Sequence, residues 1–346
     1  MADHAQSRAE QERDWKSKVA ATRIPFSGAK LNHAADHSLP LPGLDGANPL
    51  AFLAAVGTLV VCDRLSLSES TPEWLQGSVA LSWGSGGIPH TPVLHFPTAP
   101  PSPRAFIDNL AEQLARSADN HPVAWVVRML DDKDQDLAKQ IRDQCIPAHE
   151  KDRPCLDWVT ALALETAPDL ASRLQTVRRD YLLDNIRQIM QLTKANHLER
   201  ALFHAWDYAD ALANQSLHWE PTEDRRHAYQ WHMPSGDPTR NKRGGMLGAN
   251  RLALEAWPLF PSFPAGDGIT TRGFSGHRAN DTFFTWPLWK LPLKIDGVAS
   301  LLALKHLQAD DPPCNQFKHY NVSHAFRLQR ILVGKTPNFT TAFAIG

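Results

Sequence analysis

The chain has 346 residues, with 36 Lys and Arg against 37 Asp and Glu, so its net charge at neutral pH is close to zero. This balance excludes a uniformly basic nucleic-acid-binding protein, and any nucleic-acid surface must come from local segregation of charge. The length allows two domains, or one with insertions, and the four cysteines (Cys62, Cys145, Cys155 and Cys314) lack CxxC spacing, which predicts reduced thiols and a cytoplasmic location.

Residues 1–38 are polar and charged, and they are predicted to form a flexible N-terminal arm. The packed protein is predicted to begin at residue 39, with the most apolar stretch of the chain. Asn48 is a good N-cap and Pro49 suits the first helical position, so a helix is predicted over residues 49–64. Its apolar residues cover nearly every face, which indicates a core helix. The run is too short to span a membrane, for which roughly 20 residues are needed.

Two short strands are predicted next, at residues 78–83 and 92–96, where apolar residues alternate or cluster between prolines and glycines. The intervening Gly84-Ser-Gly-Gly87 lacks the Lys-Ser/Thr of a Walker loop, and a hairpin loop is favoured there over a phosphate site. Residues 103–215 are predicted to form a helical subdomain, with helices at 105–115, 137–145, 156–164, 170–192 and 197–212. Arg173, Arg178, Arg179 and Arg187 are interpreted as a solvated helix face rather than a phosphate track.

The segment from Asp237 to Arg251 is the sharpest polar feature of the sequence. Beyond Asp237 it carries basic residues and no acid, and two glycines precede a predicted helix that continues to Trp257. A basic loop that enters a helix N-terminus suits backbone phosphates, although a plain surface loop has the same composition. The residues predicted to bind nucleic acid are Arg240, Lys242, Arg243, Asn250 and Arg251, together with Arg272 and Arg278 in a second basic turn.

Tryptophans are concentrated between residues 217 and 307. Trp231, Trp286 and Trp289 are candidates for base stacking or for a partner interface, although aromatic residues are more often core. A strand is predicted at 283–289, stopped by Pro287. A helix at 297–306 and strand-like segments at 326–332 and 339–345 follow.

Three classes of function are compatible with these residues. The first is contact with nucleic acid, and the second is a protein-protein scaffold whose tryptophans dock a partner. The third is a metal-dependent hydrolase that uses His218, His227 and His232 with Glu220, Glu223 or Asp224, because three ligands and an open position suit catalytic zinc. No Walker, GxSxG or HExxH motif occurs, so no catalytic residue, metal or cofactor is predicted.

The sequence resembles proteins of type I-G (formerly I-U) CRISPR systems, in particular the family described as an extension of the helicase-nuclease and, more distantly, the large-subunit-like proteins. The resemblance lies in two separated blocks of the chain, and four stretches carry it: LPGLDGANPLAFLAAVGTL (41–59), GANRLALEAWPLFP (248–261), TRGF (271–274) and FTWPLW (284–289). The resemblance implies an antiviral component that works with guide RNA or target DNA, effector-complex proteins and the helicase-nuclease. In such systems base pairing reads the sequence, while protein contacts the backbone.

The predicted fold class is α+β. A small mixed or antiparallel sheet packs with the buried helix 49–64, and residues 39–102 and 216–346 form the core domain. The helical subdomain 103–215 is inserted between them. The predicted function is a non-catalytic, accessory component of CRISPR interference, without a membrane partner.

Overall fold

The apolar stretch after Asn48 is a helix, Pro49–Ser66, in the computed structural model of the chain. Asn48 caps it, because its side-chain oxygen accepts the backbone N–H groups of Leu50 (2.9 Å) and Ala51 (3.2 Å). The structure describes residues 37–66, 72–75, 77–84, 87–118, 121–123, 126, 153–163, 172–211, 215–221, 244–265, 268–276, 282–333 and 336–345.

The described helices and strands confirm the α+β class. The helices are α1 Pro49–Ser66, α2 Pro103–Ala118, α3 Arg153–Leu162, α4 Arg179–Leu192, α5 Ala195–Phe203, α6 Leu247–Ala256 and α7 Ile295–Leu302. The strands are β1 Ser38–Pro40, β2 Ala80–Trp83, β3 Pro92–His95, β4 Ser262–Ala265, β5 Gly268–Thr271, β6 Phe274–Ser275, β7 Thr282–Trp289, β8 Val322–Val333, β9 Thr336–Phe339 and β10 Phe343–Ala344.

The strands form small antiparallel sheets. One has the order β1-β3-β2, a second has the order β10-β8-β7-β6 with β9 also on β8, and β4 pairs with β5. The backbones of Leu81 and Leu293 exchange two 2.9 Å hydrogen bonds, which join β2 to the segment after β7. The predicted pairing of 78–83 with 92–96 is confirmed, and the sheets are antiparallel.

Helix α1 packs most extensively on α6, as well as beside the sheets. The two helices touch at Gly57, where a Cβ atom would lie 1.8 Å from the carbonyl oxygen of Leu252. Only glycine allows this approach, because any side chain would force the helices apart. The stretch that was predicted to pack on a sheet is therefore, first of all, half of a close helix pair.

Both the predicted core domain and the described helices of 103–215 contribute to one hydrophobic core. Phe106 of α2, Trp158 of α3 and Ile186 of α4 are buried in the same cluster as Phe52. Residues His37–Gly346 form one unit, which begins two residues before the predicted boundary.

Three predicted elements end elsewhere in the structure. The helix predicted at 170–192 starts only at Arg179, because Thr176 Oγ1 donates to the carbonyl oxygen of Leu217 (2.5 Å) and fixes a non-helical segment before it. The helix predicted at 197–212 ends at Phe203. Pro287 lies within β7, opposite Ala325 of β8, so the proline does not end the strand. The sheet tolerates it because the described strand on the other side, β6, pairs with β7 only at residues 283 and 284.

Helix α1 is the one described helix long and apolar enough to cross a membrane, by length and composition. It is 83% buried within the protein. Of its residues only Asp63, Arg64 and Ser66 are not fully buried. This burial is typical of the core helix of a soluble protein.

Candidate functional site

The described residues on both sides of the basic segment 222–243 contact helix α6. We call these residues, 215–221 and 244–247, the roots of the segment. At the first root, the Asn250 side-chain oxygen accepts the backbone N–H of Leu217 (2.8 Å), while its amide donates to the carbonyl oxygen of Met246 (3.1 Å). Asn250 is fully buried, so it ties both roots together from inside the core.

The second root is paired with the chain after α5. Gly245 donates to the Asp210 carbonyl oxygen (2.7 Å) and accepts from the Asp210 N–H (3.2 Å), and Gly244 donates to the Tyr208 carbonyl oxygen (2.7 Å). A Cβ atom on Gly244 would lie 1.7 Å from the carbonyl oxygen of Asp210, so this position requires glycine. The Asp210 carboxylate also accepts the N–H of Leu247 at the start of α6 (2.8 Å).

A pocket of about 310 Å³ opens beside the second root. Its lining includes Leu192, Lys194, His197, Asp210, Gln215 and Leu247. Lys194 is exposed, while Arg200 holds Asp210 (2.6 Å) and also pairs with Asp207. The pocket can therefore offer one exposed cation and several polar groups to a ligand.

The neutral form of His197 is favoured in this pocket. Burial lowers its pKa, and nearby Asp210, whose Oδ1 lies 3.9 Å from His197 Nε2, offsets this in part. Its Nδ1 accepts the backbone N–H of Lys194 (3.0 Å), so the neutral ring carries its proton on Nε2. The imidazole can donate a hydrogen bond to an anionic oxygen, but it adds no positive charge.

Arg251 lies in a buried ion network instead of at a surface. Its side chain has no exposed area and pairs with Glu255, one turn further along α6. Glu255 also binds Arg64 and the Nε2 of His121 (3.0 Å), and His121 Nδ1 accepts the N–H of Val123 (3.2 Å). Burial would raise the pKa of Glu255, but Arg64, His121 and Arg251 hold it well below its ordinary value.

The prediction that Asn250 and Arg251 contact phosphate is therefore wrong. Both side chains have zero exposure, and their hydrogen-bonding groups face other parts of the protein. Exposing the Arg251 charge to a phosphate would mean breaking its pair with Glu255 inside the core, which is costly. In this structure Asn250 positions the roots, and Arg251 stabilises the helix that holds them.

Arg272 is half-buried and donates to the carbonyl oxygen of Leu259 (3.1 Å), and burial lowers its pKa. Trp286 and Trp289 are fully buried, which leaves neither ring free to stack on a base. Their indole N–H groups donate to the carbonyl oxygens of Gly46 (2.8 Å) and Leu81 (2.6 Å). These two tryptophans hold the turn before α1 and strand β2, which is the core role that aromatic residues more often have.

The other predicted site residues lie outside the described residues: Arg240, Lys242, Arg243, Arg278, Trp231, and, for the hydrolase hypothesis, His227, His232, Glu223 and Asp224. Of the remaining hydrolase candidates, Glu220 is buried and accepts from the Asn48 side-chain amide, and the His218 backbone is left-handed (φ 57°). Across the part of the chain that the structure describes, no three His, Cys, Asp or Glu residues are grouped to hold a metal.

Sequence reasoning did not single out Lys194, His197 or Asp210. They were predicted to lie near or within helices, and only the pairing of Asp210 with Gly245, 35 positions later, brings the pocket to the basic segment. The doubled glycine at 244–245 was the one local signal of a close backbone approach. Comparison of the chain with protein-family models, curated proteins and solved structures gave no significant match.

Proposed function

We propose that this protein is an accessory, non-catalytic component of a type I CRISPR interference machinery, and that it contacts nucleic-acid backbone through the basic segment 222–243. The observation that carries the proposal is that both roots of this segment are anchored to one buried helix, α6, through Asn250 and through the Asp210–Leu247 contact. A base of this kind fixes where the two ends of the segment leave the protein, and binding loops are commonly anchored on a scaffold in this way.

The charge of the segment fits phosphate contact. Residues 222–243 contain five Lys and Arg against three Asp and Glu, in a chain whose overall charge is near zero. Exposed Lys194 lines the pocket beside the second root and adds one positive charge there. Local segregation of charge is what a near-neutral protein needs to bind a polyanion.

The resemblance to type I-G proteins supports the CRISPR part of the proposal. The stretches 41–59 and 248–261, almost two hundred residues apart, meet where Gly57 touches Leu252, and Trp286 of the stretch 284–289 lies 5.9 Å from Phe52. Shared residues that meet in one core support a shared fold. The partners implied are effector-complex proteins, the helicase-nuclease, and guide RNA or target DNA in the cytoplasm.

The test is charge reversal of Arg240, Lys242 and Arg243 to glutamate. The matched control reverses three exposed helix arginines, Arg104, Arg116 and Arg187, so that both variants have the same net charge. We expect the first variant alone to lose binding to labelled single- and double-stranded oligonucleotides in fluorescence anisotropy. The slope of log affinity against log salt should fall by roughly 2–3, because each lost phosphate contact removes about 0.7–0.9.

Co-purification with the neighbouring CRISPR proteins and guide RNA, in low- and high-salt washes, tests the assembly. Unchanged oligonucleotide binding by the segment variant removes the segment from the site. Salt-resistant recovery of a protein partner without RNA favours the scaffold function, for which Leu332 and Phe343 of the C-terminal strands are among the exposed apolar side chains. Recovery of the protein alone in every wash rejects the proposal.

A further inference from the structure

Arg330 is a buried cation with few acceptors. It lies on β8 with 7% of its surface exposed, and its Nη2 donates to the carbonyl oxygen of Gln175 (3.0 Å). Its Nε is buried and has no hydrogen-bond partner. Among the described residues, no ion pair joins the Arg330 guanidinium to a carboxylate, although charged groups are rarely buried unless they are paired.

Arg327, on the same strand, is a buried guanidinium with several hydrogen-bond acceptors. It is 6% exposed, and its Nε donates to Thr285 Oγ1 (2.9 Å). Its Nη2 donates to the carbonyl oxygens of Leu307 (2.9 Å) and Ala309 (2.7 Å). The contrast is informative because strand and burial are the same, while the set of acceptors at Arg330 is incomplete.

A second arginine, Arg173, lies two residues before Gln175, whose carbonyl oxygen accepts from Arg330. The Arg173 backbone N–H donates to Thr271 Oγ1 (2.9 Å) and its Nη2 to the carbonyl oxygen of Ile269 (3.0 Å), which fix it against β5. Burial and the like charge of Arg173 together lower the pKa of Arg330 to about 10. Arg173 is half-buried, so the pair extends from the core towards solvent.

We propose that Arg330 and Arg173 bind a phosphate-type oxoanion. Two guanidinium groups in the same region can together match the several oxygens of a tetrahedral anion, because each planar fork can donate two parallel hydrogen bonds. The anion supplies the acceptor that the Arg330 Nε lacks and offsets the repulsion between the two cations. Neither arginine belongs to the basic segment 222–243, and the proposal does not depend on the function of that segment.

The test measures the melting temperature of the full chain in sodium phosphate against sodium chloride at matched ionic strength, with calorimetric titration of inorganic phosphate. For the wild type, phosphate at about ten times its dissociation constant should raise the melting temperature by roughly 2–5 °C. Arg330→Met should lose this response and the calorimetric signal, whereas Arg330→Lys should keep part of both.

Two arginine variants serve as controls. Arg178→Met removes an exposed arginine that pairs with Asp180 (2.6 Å), and Arg327→Met removes the satisfied buried one. Both should keep the full phosphate response, whatever their own melting temperatures. A structural role for Arg330 alone would lower the melting temperature equally in both salts.

A short oligonucleotide added to the phosphate complex identifies the source of the anion. Displacement of phosphate by the oligonucleotide assigns the site to a nucleic-acid backbone, and binding without displacement assigns it to a free phosphate. The Arg240, Lys242 and Arg243 reversal should leave phosphate binding intact, which separates this site from the proposed function. A wild type that ignores phosphate, or an Arg330→Met variant that still binds it, overturns the proposal.

Discussion

Replacement of Glu255 by glutamine should strongly destabilise the protein. The Glu255 carboxylate has no exposed area and is shared by Arg251, Arg64 and His121, whose Nε2 lies 3.0 Å away. Glutamine keeps the shape but removes the negative charge, which leaves the buried Arg251 cation without its counter-ion. Breaking a buried pair in this way costs about 3–5 kcal/mol, a large part of the roughly 5–15 kcal/mol that stabilises a typical protein.

The loss of stability caused by Glu255→Gln should depend on pH. The pKa of Glu255 is depressed in the folded state, so its contribution is complete above the unfolded value of 4.5 and is lost as the pH falls through the folded pKa. The difference in unfolding free energy between wild type and Glu255→Gln should therefore be constant from neutral pH to about pH 5 and shrink below pH 4.5.

Urea unfolding followed by tryptophan fluorescence, from pH 7 down to pH 3, measures this difference. The control is Glu112→Gln, which breaks the exposed pair with Arg116 on α2 and should cost at most about 0.5 kcal/mol. If Glu255→Gln costs as little as the control, or if its cost does not change below pH 4.5, the ion network does not stabilise the fold as described.

Substitutions at Gly57 and Asn48, each with a matched control, test the helix pair and the cap of α1. Gly57→Ala places a Cβ atom 1.8 Å from the Leu252 carbonyl oxygen and should cost at least about 1–3 kcal/mol by chemical denaturation. Gly297→Ala, whose nearest neighbour is the Leu293 side chain at 3.4 Å, should be close to neutral, and equal costs would refute the close approach. Asn48→Ala should cost about 1 kcal/mol for the lost cap, plus the lost amide contact to Glu220, whereas Asn48→Ser should recover the cap alone. Equal losses in the two Asn48 variants would contradict a capping role.

The core helix was predictable because its signals are local. A capping Asn48, a proline at the first helical position and apolar residues on every face are all visible in the sequence. The strands at 80–83, 92–95 and 282–289 were predicted for the same reason, from alternation and bounding turns. What the sequence did not indicate was the helix α6 as the partner of α1, because the contact depends on a glycine meeting a carbonyl oxygen some 195 positions later.

The helix ends were misplaced because tertiary contacts override periodicity. Residues 172–178 continue the helical spacing of α4, but Thr176 and Gln175 are used by Leu217 and Arg330. Beyond Phe203, Asp207 and Asp210 fold back onto Arg200 instead of extending α5. Arg173 was therefore assigned to a solvated helix face, while the structure places it beside Arg330 against β5.

Arg251 was misassigned for a related reason. In the sequence it ends a run of basic residues, and charge in such a run usually lies in solvent. Its burial depends on Glu255 one turn away and on Arg64 and His121, which come from distant parts of the chain. A salt-bridge spacing of four residues within α6 was the only local signal, and that spacing is equally common on exposed helices.

The residues that carry the family resemblance lie mainly where they build the core. Gly57, Leu252, Trp286 and Trp289 are all inside the protein, so substituting them would change stability and report little about binding. Binding is better tested at charged groups that do not stabilise the fold. Two candidates are the basic segment, whose roots Asn250 and Asp210 hold, and Arg330, whose Nε has no hydrogen-bond partner. A protein that loses phosphate binding through Arg330→Met while keeping its nucleic-acid contact through 240–243 would have two anion sites on one scaffold.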